Sequence, residues 1–248
     1  PLRELGLVVD EAPSTRARTA RGRRLRLDSC SLRVQLVGPE AFRRHHKALA
    51  ALAAPAAAVL AAAIGLIGLP GAGASDVLAA ARTLSPLDIG SFILAGLFLT
   101  TLHEIGHAAA LAREGEDAMG SGLMLLFGLP ALFVDVTPMW LLSDGRARAR
   151  VALAGPLTSF ALAGALSLAS AVTGIRLLGA LAITQCIGAV INCLPLAKLD
   201  GYHALVGWRK RPNLFGESLR TLCSPGGWRE SPGVALYGAA NLLAAGLF

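Results

Sequence analysis

Residues 91–112 read SFILAGLFLTTLHEIGHAAALA, and this stretch decides the class of protein to which the chain belongs. It contains one acidic residue, Glu104, and neither Lys nor Arg. A helix needs about 20 predominantly apolar residues to cross the hydrocarbon core of a bilayer. We therefore predict a membrane-spanning helix over about residues 88–111, with its ionisable side chains in the second half.

The composition of the whole chain also favours a membrane protein. Hydrophobic residues make up 54% of the 248 residues and charged residues only 16%, whereas a soluble domain carries about 25% charged residues. Ala, Leu and Gly dominate, and the apolar residues occur in long runs. This pattern is typical of closely packed helices and argues against a sandwich or barrel.

We predict an all-α polytopic membrane protein with about five transmembrane helices, three of which form a catalytic core. The small residues Gly155, Ser159 and Ala163 recur every four positions in the third span, a spacing that allows close approach of another helix. The last apolar run reaches the end of the chain without a polar flank, so we expect it to be truncated. The five predicted spans are 48–69, 88–111, 151–172, 177–196 and 232–248.

Residues 115–142 are apolar but are broken by glycines and prolines, including Gly128 and Pro130. Irregular backbone at membrane depth is tolerated only where protein or a water-filled cavity satisfies its polar groups. We therefore predict a re-entrant or interfacial β-hairpin around residues 123–136. In the N-terminal segment, residues 24–28 and 32–37 are predicted to pair as strands.

Basic residues are concentrated at the N-terminus, where 11 of the 23 precede Ala48. No nucleic-acid-binding motif contains them, so we exclude a nucleic-acid partner and predict a basic flank facing anionic lipid. Five spans with a cytoplasmic N-terminus put 21 basic residues inside and only Arg82 and Arg176 outside, as the positive-inside rule requires. We therefore predict a multi-pass protein of the cell membrane.

Two regions follow from this topology, a basic cytoplasmic segment over residues 1–47 and a transmembrane domain over residues 48–248. Arginine greatly outnumbers lysine, which indicates a bacterial, GC-rich genome.

The four cysteines form no CxxC pair, and we interpret them as reduced thiols rather than a disulfide framework. They are Cys30, Cys186, Cys193 and Cys223.

The second predicted span contains the sequence HEIGH, with His103, Glu104 and His107. Residues four apart share one face of a helix, so both imidazoles can reach one metal ion. Glu104 follows the first histidine directly and can act as a general base on water that zinc activates. Ionisable residues inside a span cost several kcal/mol and are functional by default, so the motif predicts a zinc site within the membrane.

Catalytic zinc takes a third protein ligand and keeps one position open. We prefer Asp200 because the second and fourth spans run in the same direction, so His103, His107 and Asp200 all approach the cytoplasmic half of the membrane. Pro195 is expected to break the helix before Asp200, and Gly201 to permit a close turn. Other candidates for the third ligand are Asp135, Asp144, Cys186, Cys193 and His203.

HEIGH and the later sequence from Asn192 through Pro195 to Asp200 and Gly201 together resemble the site-2 protease family of intramembrane zinc metalloproteases. That family combines HExxH with an NxxPxxxxDG pattern in a later span, and the resemblance covers residues 88–205. It implies one zinc ion per chain, held by His103, His107 and Asp200, with Glu104 as the base.

Two further positions bear on this resemblance. Ala154-Gly155-Pro156 resembles the turn that opens the family's middle core span, while Ser159 stands where the family often has Asn, so we assign it no role. Asn192 offers an amide that we expect to orient the substrate carbonyl and to stabilise the oxyanion that develops on it.

The implied activity is hydrolysis of a peptide bond in a membrane-associated or precursor peptide that unwinds near the cytoplasmic leaflet. The hairpin is expected to hold the extended substrate as an added strand. The stretch between His107 and Asp200 leaves no room for a PDZ domain, and residues 122–138 resemble the short proteases of ribosomal peptide biosynthesis, including the daptide type. Leader removal is therefore the preferred role.

Two alternatives stay open. The first is regulated cleavage of a membrane-anchored signalling protein by the same chemistry. The second is a peptide exporter or zinc-handling protein without enzymatic activity. No inverted internal repeat is visible in the sequence, and Glu104 has no purpose in a transport site, so we favour an enzyme.

Overall fold

The computed structural model is mostly helical, with one antiparallel sheet. The described residues are 25–28, 31–53, 63, 85–126, 129–196, 198–211, 213–224 and 226–247. The strands are β1 (Leu25–Asp28), β2 (Ser31–Val37), β3 (Ser121–Leu126) and β4 (Leu129–Val134). The helices are α1 (Pro39–Leu52), α2 (Pro86–Arg113), α3 (Gly145–Thr173), α4 (Arg176–Cys193), α5 (Asp200–Arg209), α6 (Leu214–Cys223), α7 (Gly227–Glu230) and α8 (Pro232–Leu247), and a 3-10 helix covers Thr137–Leu141.

Three helices among the described residues, α2, α3 and α4, are long and apolar enough to cross a membrane. They correspond to the second, third and fourth predicted spans. Most of the first predicted span lies outside the described residues. The last corresponds to α8, which has 16 residues, fewer than the roughly 20 that a crossing requires. A membrane protein is therefore confirmed, while the count of five spans stays a prediction.

Local chemistry fixes where α2 and α3 begin. At α2 the Ser85 hydroxyl accepts the Asp88 N–H, and the Asp88 carboxylate accepts the Ser85 N–H, a capping box followed by proline at the first helical position. At α3 the Asp144 carboxylate accepts the N–H groups of Arg146 and Ala147. The bond from Arg146 lowers the pKa of Asp144, because it stabilises the ionised cap.

Close contact between α2 and α3 depends on small residues. A Cβ atom on Gly106 would lie 2.3 Å from Thr158 Oγ1 and 3.0 Å from the Ala154 carbonyl oxygen, so only glycine fits there. On α3, Gly155, Ser159 and Ala163 are all buried. The predicted small-residue stripe is confirmed, and it lies at the centre of the helix packing.

Within the described ranges the strands form one four-stranded sheet in the order β1-β2-β3-β4, antiparallel throughout. The β3–β4 hairpin and the N-terminal strand pair were both predicted. The pairing of β2 with β3 was not, so all-α is too narrow a description of the fold. This pairing requires glycine at position 122, since a Cβ atom there would lie 2.0 Å from the Val34 carbonyl oxygen.

Candidate metal centre

The two histidines of HEIGH lie one helical turn apart on α2 and face the inside of the helix bundle. His103 is 8% exposed and His107 is 5% exposed. Their Nε2 atoms are 3.2 Å apart, as expected for residues at positions i and i+4 that converge on a common point. The predicted pair is therefore brought together in a buried position.

Asp200 completes the cluster from the first turn of α5. Its Oδ2 atom lies 3.2 Å from Nε2 of His103, and its Oδ1 atom lies 3.5 Å from Nε2 of His107. Both carboxylate oxygens therefore face the Nε2 atoms of the histidines, and an ionised carboxylate in this position can serve as a metal ligand.

The chain reaches this position because α4 ends at Cys193, just before Pro195, and α5 starts at Asp200. A Cβ atom on Gly201 would lie 2.1 Å from the Cys193 carbonyl oxygen. Glycine is therefore required for close approach of two backbones rather than for a left-handed turn. The Tyr237 hydroxyl of α8 donates a hydrogen bond to the Pro195 carbonyl, which ties the C-terminal helix to the connection carrying Asp200.

The geometry of the three donors fits zinc. Ligands about 2.0–2.1 Å from a tetrahedral zinc ion lie roughly 3.3 Å from one another. Here the two Nε2 atoms are 3.2 Å apart, and each lies 3.2 or 3.5 Å from one of the two Asp200 oxygens. Two imidazole nitrogens and one carboxylate oxygen form a donor set found in catalytic zinc sites, which hold a fourth position for water or substrate. His103, His107 and Asp200 could therefore hold one zinc ion.

Gly155 of α3 closes one side of this cluster. A Cβ atom at this position would lie 2.2 Å from Nε2 of His107 and 2.5 Å from Nε2 of His103, the atoms that would bind a metal ion. In the sequence, Gly155 was interpreted as a packing residue and as part of the Ala-Gly-Pro turn. The sequence does not show that Gly155 lies against both histidines, because the rotation of α3 about its axis decides which glycine faces them.

The Nδ1 atom of each histidine, on the side of the ring away from Asp200, has a hydrogen-bond partner on α3. Nδ1–H of His107 donates to the Val151 carbonyl oxygen at 2.8 Å. Nδ1 of His103 is hydrogen-bonded to the Ser159 hydroxyl at 2.9 Å. Contacts of this kind orient imidazole ligands and set their tautomer. Ser159, which was given no role on the sequence pattern alone, therefore contacts the site directly.

Glu104 lies beside the cluster and contacts the sheet. Its Oε2 atom accepts the Val134 N–H of β4 at 2.8 Å. The predicted base is thus held at the end of the edge strand of the hairpin, next to both histidines. A carboxylate in this position can reach a water molecule or a peptide group that approaches the three donors.

The other candidates for a third ligand are used elsewhere or lie outside the cluster. Asp144 caps α3, and Asp135 accepts the Thr137 N–H at 3.1 Å. The ring of His203 packs on those of Trp140 and Tyr202.

Asn192 lies in the last turn of α4 and is half-buried, and its contact with a substrate stays a prediction. Cys186, Cys193 and Cys223 are free thiols, and Cys30 lies outside the described residues.

Known proteins resemble this chain over about two thirds of its length. "Putative zinc metalloprotease Rip2" of Mycobacterium tuberculosis is 30% identical over 193 residues, which cover 64% of this chain and 72% of the relative. The protein of that name in Mycolicibacterium smegmatis is 31% identical over 198 residues, covering 66% and 74%. No family model and no solved structure matches the chain. With its two-histidine, one-carboxylate cluster and these relatives, the chain belongs to the Rip2 family of zinc metalloproteases.

Proposed function

We propose that this protein is an intramembrane zinc metalloprotease of the site-2 protease type. The observation that carries the proposal is the convergence of His103, His107 and Asp200 beside Glu104, with an edge strand hydrogen-bonded to the Glu104 carboxylate. A transport site would need the ligands but not the base. The proposed localisation is the cell membrane of a bacterium, multi-pass, with the N-terminus in the cytoplasm.

The chemistry divides between the metal and the side chains around it. Zinc held by the three donors would supply Lewis-acid polarisation of the scissile carbonyl and activation of water. Glu104 removes a proton from that water and delivers it to the leaving amine. Asn192 is proposed to steady the negative charge that develops on the carbonyl oxygen.

The edge of β4 is suited to hold an extended substrate. Successive residues of a strand direct their N–H groups to opposite edges. Since the Val134 N–H points at Glu104, the Leu132 N–H and carbonyl point to the same side, away from β3. Pro130 has no N–H to offer. We therefore propose that one substrate residue pairs with Leu132 while the next residues reach the metal centre.

The depth of Glu104 in the bilayer and the exposed apolar face of the hairpin support cleavage within the membrane. Glu104 precedes Arg113, at the end of α2, by nine residues, which corresponds to about 14 Å along the helix axis. A bilayer core is about 30 Å thick, so an Arg113 at the interface puts Glu104 close to the midplane. Leu123 and Leu125 of β3 are 44% and 42% exposed, as expected of a hairpin face that contacts lipid. Both features favour a re-entrant hairpin.

The preferred biological role is removal of a leader from a precursor peptide in natural-product maturation. Regulated cleavage of a membrane-anchored signalling protein uses the same site and is the main alternative. A peptide exporter is disfavoured by the position of Glu104 next to the edge strand. Cleavage products from a precursor peptide, compared with those from a membrane-anchored substrate, distinguish the first two roles.

Zinc content tests the proposed ligand set. We expect the detergent-purified protein to hold about one zinc ion per chain. Asp200→Asn should weaken zinc binding more than about 100-fold, because loss of groups that merely support a ligand already costs 10- to 100-fold. Asp144→Asn is the matched control, since Asn also caps helices well. Elemental analysis after dialysis against a weak chelator measures both variants, and full zinc retention in Asp200→Asn would exclude Asp200 as a ligand.

Substitutions at Leu132 test the proposed edge strand. Leu132→Pro removes one N–H from the edge, and proline is tolerated at such edge positions. We expect kcat/KM for peptide cleavage to fall about tenfold, the effect of one lost hydrogen bond of roughly 1.4 kcal/mol. Leu132→Ala keeps the N–H and should retain most of the activity. Equal losses in both variants would indicate a side-chain role and rule out strand pairing.

A further inference from the structure

We propose that Ser159 is a positioning residue that holds the His103 imidazole in the tautomer and orientation that bind the metal. This inference rests on the proposed zinc site. It assigns a role to a residue that stands where the related family often has Asn. The hydrogen bonds at the two Nδ1 atoms support it, because His107 bonds a backbone carbonyl whereas His103 bonds a side-chain hydroxyl.

For His107 the tautomer follows from the backbone. Its Nδ1 atom lies 2.8 Å from the Val151 carbonyl oxygen, and a carbonyl can only accept a hydrogen bond. Nδ1 must therefore carry the proton, which leaves the lone pair on Nε2, facing His103 and Asp200. Because the partner is a backbone atom, no side-chain substitution at position 151 removes it.

For His103 the same requirement is met by a side chain. A metal ion on Nε2 places the proton on Nδ1, and the Ser159 hydroxyl oxygen lies 2.9 Å from that atom. The pair is sealed from solvent, since His103 is 8% and Ser159 is 4% exposed. Water is therefore poorly placed to replace a lost partner, and an unpaired buried N–H is costly.

Orientation of the ring depends on the same contact. The His103 side chain is flanked by Gly155, which leaves room for the ring but offers no polar side-chain atom to hold it. The bond to Ser159 restrains rotation about the Cβ–ring bond, with Nε2 then directed at Asp200. Removing the hydroxyl should leave the fold intact and the ligand loosely oriented.

Ser159→Ala separates this role from helix packing. Alanine is smaller than serine and favours helices, so the variant is expected to fold. Ser167→Ala is the matched control, because Ser167 lies on the same helix and is also fully buried. Both variants lose one buried hydroxyl; the Ser159 hydroxyl bonds a proposed ligand, and Ser167 lies about two turns further along α3.

The experiment measures zinc affinity of the detergent-purified protein by competition with a chromophoric chelator. Ser159→Ala should bind zinc about 10- to 100-fold more weakly than wild type, the usual effect of losing such a partner, and Ser167→Ala should bind as wild type does. An affinity in Ser159→Ala within about twofold of wild type, or an equal loss in both variants, would overturn the inference. Wild-type protein without zinc affinity would overturn the proposed function itself.

Discussion

Glu104→Gln is expected to reduce peptide cleavage by about 10³-fold, within the range of 10² to 10⁴ that general acid–base catalysis contributes, and to leave zinc bound. Gln has the shape of Glu, and its side-chain oxygen can still accept the Val134 N–H that now bonds Glu104 Oε2. What it loses is the capacity to take a proton from water and pass it to the leaving amine. Zinc ligands and edge strand should therefore stay in place.

Mass spectrometry of a mixed peptide library, incubated with the purified protein, measures the cleavage rate for every sequence that the enzyme accepts. Glu114→Gln is the control, because Glu114 follows the last turn of the same helix and pairs with Arg150 at 2.8 Å, away from the metal centre. We expect its activity to equal that of wild type. Activity above about a tenth of wild type in Glu104→Gln, with zinc bound, would show that another group is the base.

The residues that form the site could be predicted because each is fixed by local chemistry. His103 and His107 share a helix face through the helical period alone. Asp200 could be predicted because the second and fourth spans run in the same direction and because Pro195 is expected to break the helix before it. Chain order and helix geometry suffice for both steps, and the structure brings all three residues together.

The residues that orient the site could not be predicted in the same way. Which side of α3 faces α2 depends on packing along the full length of both helices. Gly155 and Ser159 therefore look like spacing residues in the sequence, although one lies against both histidines and the other bonds His103. The helix α3 begins at Gly145, six residues before the predicted span at 151, since its first turns carry arginines that extend their charges to the surface while the helix continues.

The pairing of β2 with β3 was missed for a different reason. Gln35 donates a hydrogen bond to the Met119 carbonyl, 84 residues away. Contacts between such distant segments depend on how α1 and α2 place the two strands, and the sequence of neither strand specifies the other. The result matters for the site, because the N-terminal strands cover one edge of β3. Among the described strands, β4 is then the edge left next to Glu104.

Gly155→Ala is expected to abolish zinc binding, and peptide cleavage with it. The added Cβ atom would lie 2.2 and 2.5 Å from the Nε2 atoms of His107 and His103, well inside van der Waals contact. Neither ring can retreat easily, because Val151 and Ser159 hold the opposite nitrogens. The methyl group would therefore displace the ligand atoms from the point on which they converge.

The higher helix propensity of alanine would by itself stabilise α3, whereas we expect zinc binding to be lost. Alanine favours a helix by up to about 1 kcal/mol relative to glycine, so the substitution does not weaken α3 as a helix, and thermal unfolding shows whether the helices still pack. Gly96→Ala is the matched control on α2, since among the described residues no atom beyond the adjoining helix backbone lies within 4 Å of a Cβ atom there. It should hold zinc as wild type does. Zinc content and thermal unfolding are measured together for both variants, and one zinc per chain in Gly155→Ala would mean that α3 does not face the histidines as described.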